Sequence, residues 1–484
     1  MGVGCRTGIR QGDLLRSNGT ILRDLQGSLE HPWRVLAQSS VSTTRFLESL
    51  GHLSDVSEER LGVPQGDTEI VEGIGRQRVT CLICSGQASW VFCQLGAREH
   101  YAVARALHKV GQLELLLTDC WMPPGSFAGW LKPSLRSRFH ADLTDANVTA
   151  ANLSAVSFEV YARMARLHGW QRILARNIQF QKAAVSRLRL VSAIPSKRVV
   201  VAYSYAALGI LEYARAQGWF TVLNQIDPGP PEEQLVAGLY ENDPAQRRQW
   251  ERAPPAYWQA WRKECELADR IVVNSPWSHR ALVEEGVAIE KLRVIPLAYE
   301  APSTAKSFHR SYPKAFSRSR PLRALFLGQV NMRKGVGPLL DAIRLLREAP
   351  VEFTFVGPVQ ISVPPDLLGA SNVRWVGPVG REDTAEFYRE ADIFLFPTFS
   401  DGFGLTQLEA QAWRLPVVTT KFSGEVVEHG RNGWLLNEVT GEAIASVLRR
   451  ALADPAQLQR FSDNSEIDQF DLGSVGARWL SVLD

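Results

Sequence analysis

The stretch that most restricts the fold of this chain is residues 391–419, ADIFLFPTFSDGFGLTQLEAQAWRLPVVT. The apolar run 393–396 predicts a buried strand, 400–404 a tight glycine loop, 405–413 a helix and 416–419 another strand. A strand, a glycine turn and a helix N-terminus in that order make an anion site. The first N–H groups of the helix lack intrahelical partners, and the aligned peptide dipoles add partial positive charge there. Gly402 and Gly404 have no Cβ, so backbone and ligand can approach closely. Glu409 lies about one turn inside the helix, and its side chain leans back toward the N-terminus. A carboxylate facing an anion site suits sugar hydroxyls better than phosphate. Taken alone, the stretch fits a glycine turn in an ordinary α/β domain equally well.

Asp401, seven residues and then Glu409, with Gly402, Phe403, Gly404 and Leu405 between them, resemble the signature of the retaining family 4 glycosyltransferases. That family carries Glu at both ends; the first acid here is Asp, one methylene shorter. The resemblance implies an α/β, GT-B fold, with two Rossmann-like doubly wound domains facing a central cleft. The length agrees: 484 residues with 45% hydrophobic content can bury two ordinary cores.

Other function classes find little support. The net charge of +3 is small, and no recognition motif accompanies it, so no nucleic acid partner is expected. Six cysteines in so long a chain are no disulfide framework. Cys81 and Cys84 have CxxC spacing but sit in an apolar run, with no second pair at zinc spacing; buried, reduced thiols are expected. No stretch reaches the roughly 18 apolar residues of a membrane span, and no basic segment leads an apolar core at the N-terminus. The expected location is therefore cytoplasmic, peripheral at most on the cytoplasmic face of the inner membrane.

The chain divides as follows. Residues 1–78 show no sustained period and are expected to be a poorly ordered extension. From 79 to 300, strands at 90–94, 113–118, 198–203, 220–225, 270–274 and 292–295 alternate with helical patterns such as 98–109, 206–217 and 276–285, which predicts a parallel sheet with crossover helices. The linker is 301–320, the second domain 321–455, and a helical segment 456–484 is expected to return to the first domain. Helices are expected at 442–453 and 463–483.

Site candidates accompany each domain. Gly96 follows the first strand, with Arg98 and His100 expected in the first helical turn near the cleft; His100 fits a solvated helix residue as well as a ligand. Asp227 ends a strand, where open α/β sheets bind ligands, or caps the turn at Pro228, Gly229 and Pro230. The family's His after a middle strand has no counterpart. Residues 160–198 carry nine Lys and Arg and no acid, with aromatic and aliphatic residues at roughly helical spacing. This predicts a basic amphipathic helix that contacts an anionic membrane, joined by Trp130, Lys132, Arg136 and Arg138; a solvated basic face or a patch for an anionic acceptor is the alternative. In the second domain, Gly328 closes a strand and Arg333-Lys334-Gly335 opens a helix, two cations suited to a pyrophosphate leaving group.

The resemblance implies a sugar moved from a nucleotide-diphosphate donor to a glycan or lipid-linked acceptor hydroxyl, with retention, in polysaccharide or glycolipid assembly. It assigns Arg333 and Lys334 to the diphosphate, Glu409 to the ribose and Asp401 to the neighbourhood of the donor sugar. The loop Gly402, Phe403, Gly404 and Leu405, with Gly328 and Gly96, would line the donor site. No metal and no cofactor beyond the nucleotide sugar are expected. A nucleotide-sugar isomerase and an inactive donor-binding protein are the competing classes.

Overall fold

The computed structural model describes residues 88–124, 138–191 and 197–484. The extension 1–78, Cys81, Cys84, Trp130, Lys132 and Arg136 lie outside the described residues.

Two parallel sheets carry the fold. The first contains β1 (Ser89–Gln94), β2 (Leu113–Thr118), β3 (Val148–Ala150), β4 (Arg198–Tyr203), β5 (Phe220–Gln225), β6 (Arg270–Val273) and β7 (Leu292–Val294), in the order β3-β2-β1-β4-β5-β6-β7. The second contains β8 (Leu322–Leu327), β9 (Val351–Val356), β10 (Val373–Gly377), β11 (Ile393–Leu395), β12 (Val417–Thr420) and β13 (Gly433–Leu436), in the order β10-β9-β8-β11-β12-β13. Each sheet reverses its winding once, between β1 and β4 and between β8 and β11. Those reversals open the crevices in which doubly wound sheets bind ligands. The near-continuous apolar runs of β1, β4 and β8 follow from burial on both faces by crossover helices.

The helix Leu472–Leu480 packs on Ala102–Lys109 of the first domain, with Trp479 edge-on to Phe92 at 5.8 Å. Gly476 permits this approach, since a Cβ there would stand 2.8 Å from Ala106 Cβ. Arg310, in the stretch joining the two sheets, is buried and donates to the carbonyls of Tyr388, Arg389, Ala391, Trp413 and Arg414. These carbonyls lie at helix ends and turns of the second domain, where intrahelical donors run out.

Three helical expectations are corrected. The helix expected over 98–109 begins at Ala102, because Glu99, His100 and Tyr101 take left-handed backbone angles (φ 50°, 50° and 59°). That path buries the Tyr101 ring completely, edge-on to Trp121 at 5.3 Å. The single basic helix expected over 160–198 is two, Asn152–Met164 and Gly169–Leu188. Between them Arg166 is left-handed and Leu167 is buried. The apolar residues Phe180 and Leu188, given to a lipid-facing stripe by their spacing, point into the core instead. Finally, 463–483 is not one helix: Pro455–Asp463 ends where 463 was expected to start one, and Leu472–Leu480 follows after a turn.

Candidate functional site

Local sequence dictates how the central loop is built. After β8, Gly328 has φ 147° and Gly335 φ 74°. A Cβ on Gly335 would lie 1.8 Å from the Pro397 carbonyl oxygen, so only glycine lets the β8 loop touch the β11 loop. Asn331 caps the short turn Met332–Lys334 by accepting from Lys334 N at 3.1 Å. The turn therefore delivers Arg333 and Lys334 against residues 400–401.

There the charges meet. Lys334 Nζ donates to Asp401 Oδ2 and lies 4.7 Å from the centre of the Phe396 ring. Arg333 Nη1 donates to the Ser400 carbonyl at 3.0 Å and stands 4.0 Å from Asp401 Oδ1. Burial, with Arg333 next to it, pushes the Lys334 ammonium well below its usual pKa. Gly404, left-handed at φ 81°, precedes the helix Leu405–Ala412; a Cβ on it would strike the Phe396 ring at 2.5 Å. Glu409 Oε2 accepts from the buried Tyr388 hydroxyl at 2.7 Å, which fixes the carboxylate one turn into that helix.

Two residues of the loop serve differently from expectation. The Phe403 ring is buried with Leu408, Val426 and Phe470, so only its backbone is available to a ligand. Gly402 makes room for the other domain: a Cβ there would be 2.2 Å from the Ile226 carbonyl oxygen and 2.9 Å from Asn274 Nδ2.

The first domain reaches across at the same place. Glu232, in the first turn of helix Pro230–Glu241, accepts from Ser400 Oγ at 2.6 Å and faces Arg333 Nη1 at 3.5 Å. Trp277 Nε1 donates to Ser400 Oγ at 2.9 Å. Sequence reasoning missed Glu232, Ser400 and Tyr388. Glu232 and Glu233 lie in the first turn of a helix, where acids are common, and no spacing rule joins residue 232 to residue 333.

The remaining candidates separate. Asp227 Oδ1 accepts from Gly229 N at 2.9 Å, from Gln225 Nε2 at 3.2 Å and from the Tyr205 hydroxyl, so it caps the turn. Burial first, then Glu232, raises its pKa to about 6. Gly96, at φ 87°, donates its N–H to Asp119 Oδ1 at 2.9 Å, and Asp119 is clamped by Arg138 and Arg176, both at 2.9 Å. The Arg98 side chain is exposed, and it is its carbonyl that bonds to Gln94. His100 lines a cavity of about 440 Å³ with Tyr299, Arg381 and Leu405, between the two domains. Burial, then Arg381, lowers its pKa to about 4, so it is neutral there. No cluster of metal-ligating side chains occurs among the described residues.

This geometry agrees with what the chain resembles. Residues 321–454 match the family described as Glycosyl transferases group 1. The amylovoran biosynthesis glycosyltransferase AmsK of Erwinia amylovora is 30% identical over 195 residues, 37% of this chain and 46% of that protein. A D-inositol 3-phosphate glycosyltransferase of Kineococcus radiotolerans is 31% identical over 223 residues, 40% and 51% of the two chains. The matches thus span about half the length of these curated relatives. Among solved structures, Anabaena HepE in complex with UDP superposes with TM-score 0.52 at 15% identity, covering 82% of this chain and 99% of that one. A sucrose-phosphate synthase from Thermosynechococcus elongatus gives 0.52 at 17% identity, covering 82% and 96%. At such identities the superpositions speak for the fold alone. The fold is GT-B, and residues 321–454, which hold Arg333, Lys334, Asp401 and Glu409, match the glycosyl transferases group 1 family.

Proposed function

We propose that the protein transfers a sugar from a nucleotide-diphosphate sugar to a hydroxyl acceptor, with retention of configuration, in polysaccharide or glycolipid synthesis. The observation that carries this is the convergence of Arg333, Lys334 and Asp401 beside the N-terminus of Leu405–Ala412, with Glu409 held one turn inside. The UDP bound by HepE and the polysaccharide made by the Erwinia relative support the same reading.

In this proposal the diphosphate lies on the free N–H groups at Leu405, against Arg333 and Lys334. Charge growing on the departing phosphate is stabilised by these fixed groups, and no metal ion is needed. An arriving anion also favours the charged form of Lys334, which burial disfavours. Glu409, oriented by Tyr388, accepts from the ribose hydroxyls. Asp401 sits where the sugar begins. The acceptor attacks on the face the leaving group departs from, and a phosphate oxygen takes its proton. The domain contact through Ser400 and Glu232 shuts water out of this space, which limits hydrolysis.

The test is to incubate the protein with nucleotide sugars and follow released nucleoside diphosphate and the anomer of the product by NMR. Release without metal and a product of unchanged configuration support the proposal. Inverted product refutes retention, and no release with any donor refutes the transferase.

Peripheral membrane contact belongs to the same proposal, moved to a different helix. On Asn152–Met164, Leu153, Val156, Val160 and Met164 recur at helical spacing on one face and are 88%, 59%, 55% and 80% exposed. Arg163 and Arg166, both exposed, lie at and just past the C-terminal end of that helix. Apolar residues edged by arginines suit an anionic lipid surface.

A further inference from the structure

A second cavity, of about 310 Å³, opens beside the charged cluster. Its volume is within the ~300–1,000 Å³ typical of small-molecule sites. The first domain supplies four half-buried rings, Trp170, Trp250, Tyr257 and Trp258, and three carboxylates, Asp227, Glu232 and Glu233. The second domain supplies Arg333 and the side-chain amides of Gln329, Asn331 and Gln360.

This wall is built and held. Trp250 stacks on buried Tyr240 at 5.9 Å. Tyr257 stacks on Tyr205 at 4.7 Å and meets the edge of Trp170 at 4.9 Å. Trp258 Nε1 donates to Glu233 Oε2 at 2.6 Å, and Trp170 Nε1 donates to the Glu251 carbonyl at 3.2 Å. The ring nitrogens of these two tryptophans are therefore already satisfied, and what they offer a ligand is carbon surface. Glu233 is likewise spent, on Ala253 N and Trp258 Nε1, but the other two carboxylates are the reverse. Asp227 uses Oδ1 for all three of its hydrogen bonds, and Glu232 uses Oε2 for both of its contacts. Among the described residues, Asp227 Oδ2 and Glu232 Oε1 accept no hydrogen bond.

Aromatic carbon with open carboxylate oxygens and the amide N–H groups of Gln329 and Gln360 is the chemistry that recognises a pyranose ring. The C–H face of the sugar packs on the rings, and its hydroxyls donate to the carboxylates. Three carboxylates disfavour a phosphate or a uronic acid, and the polar groups disfavour a lipid chain. The cavity includes Arg333 but not Lys334, Asp401, Leu405 or Glu409. It adjoins the proposed donor site through Arg333.

The geometry points to this cavity as the subsite for a neutral pyranose of the acceptor, so that the acceptor is a glycan recognised by its sugar. The assignment to the acceptor rests on the transferase reading; the affinity for a sugar does not.

Saturation-transfer NMR on the full chain, with the methyl glycosides of glucose, galactose, mannose and N-acetylglucosamine as probes, tests it. The expected result is binding of at least one, weakened at least tenfold by Trp250→Ala and by the near-isosteric Asp227→Asn. Binding should persist when a nucleotide sugar is added. Displacement by the nucleotide sugar but not by the nucleotide would make this the donor-sugar subsite and overturn the acceptor assignment. Binding of glucuronic acid or a sugar phosphate in preference would overturn the neutral class. No binding of any glycoside by a protein whose thermal stability still rises with a nucleotide would overturn the subsite alone and leave the donor site standing.

Discussion

Arg333 of the second domain and Glu232 of the first face each other across the cleft, Nη1 to Oε2 at 3.5 Å, with Ser400 Oγ bonded to the same carboxylate oxygen. The guanidinium proposed to receive the diphosphate is thus partly neutralised by the opposite domain. Replacing Glu232 with Gln removes a competing anion and keeps the Ser400 contact. Glu232→Gln is expected to tighten nucleoside diphosphate binding by about three- to tenfold, measured by isothermal titration. An unchanged or weaker affinity would show that the pair does not compete with the ligand.

Gly402 lies at a close approach of the two domains, where a Cβ would stand 2.2 Å from the Ile226 carbonyl oxygen. Gly402→Ala should hold the domains apart while leaving the second domain's own site intact. The expected outcome is a loss of about 100-fold in kcat/KM with less than about threefold change in nucleotide affinity. Equal losses in both would place the glycine in the donor site itself.

The difference between those outcomes illustrates what the sequence could tell. The glycines, the cations and Glu409 were legible because strand, turn and helix chemistry is local, and so was the α/β alternation. What Gly402 and Phe403 do was not legible, since it depends on Ile226 and Phe470, far away in the chain. Glu232 was hidden for the same reason. The left-handed run Glu99–His100–Tyr101 was invisible to propensity, which reads those residues as helix formers; burial of the Tyr101 ring overrides it. The basic region misled because spacing cannot tell a lipid-facing apolar stripe from a core-facing one.

Asp227 links the cleft to pH. Its folded pKa, about 6, is raised above its ordinary 3.8 by burial and by Glu232, against the opposing effects of Tyr205, Gly229 and Arg333. Stability from this group is fully present below about pH 3.8 and is lost as pH rises through about 6. Asp227→Asn should flatten that portion of the melting temperature profile between those values. A profile of unchanged slope would mean that the carboxylate ionises normally.

The exposed stripe on Asn152–Met164 makes a separate claim. Co-sedimentation with vesicles containing phosphatidylglycerol should capture the protein, vesicles of phosphatidylcholine alone should not, and Leu153→Ser with Met164→Ser should reduce capture about tenfold or more. Capture equal in the double variant would remove this helix from any membrane contact.

The central claim is a metal-free nucleotide site made by Arg333, Lys334 and Glu409. Its most direct test is a thermal-shift screen of the full chain in EDTA against UDP, GDP, ADP and their sugars, with Glu409→Ala and Arg333→Ala in parallel. The expected result is a rise for one nucleotide series, equivalent to about 2.7 kcal/mol at 100 times the Kd, and absent in both variants. No rise with any nucleotide, or the same rise in both variants, would contradict the account.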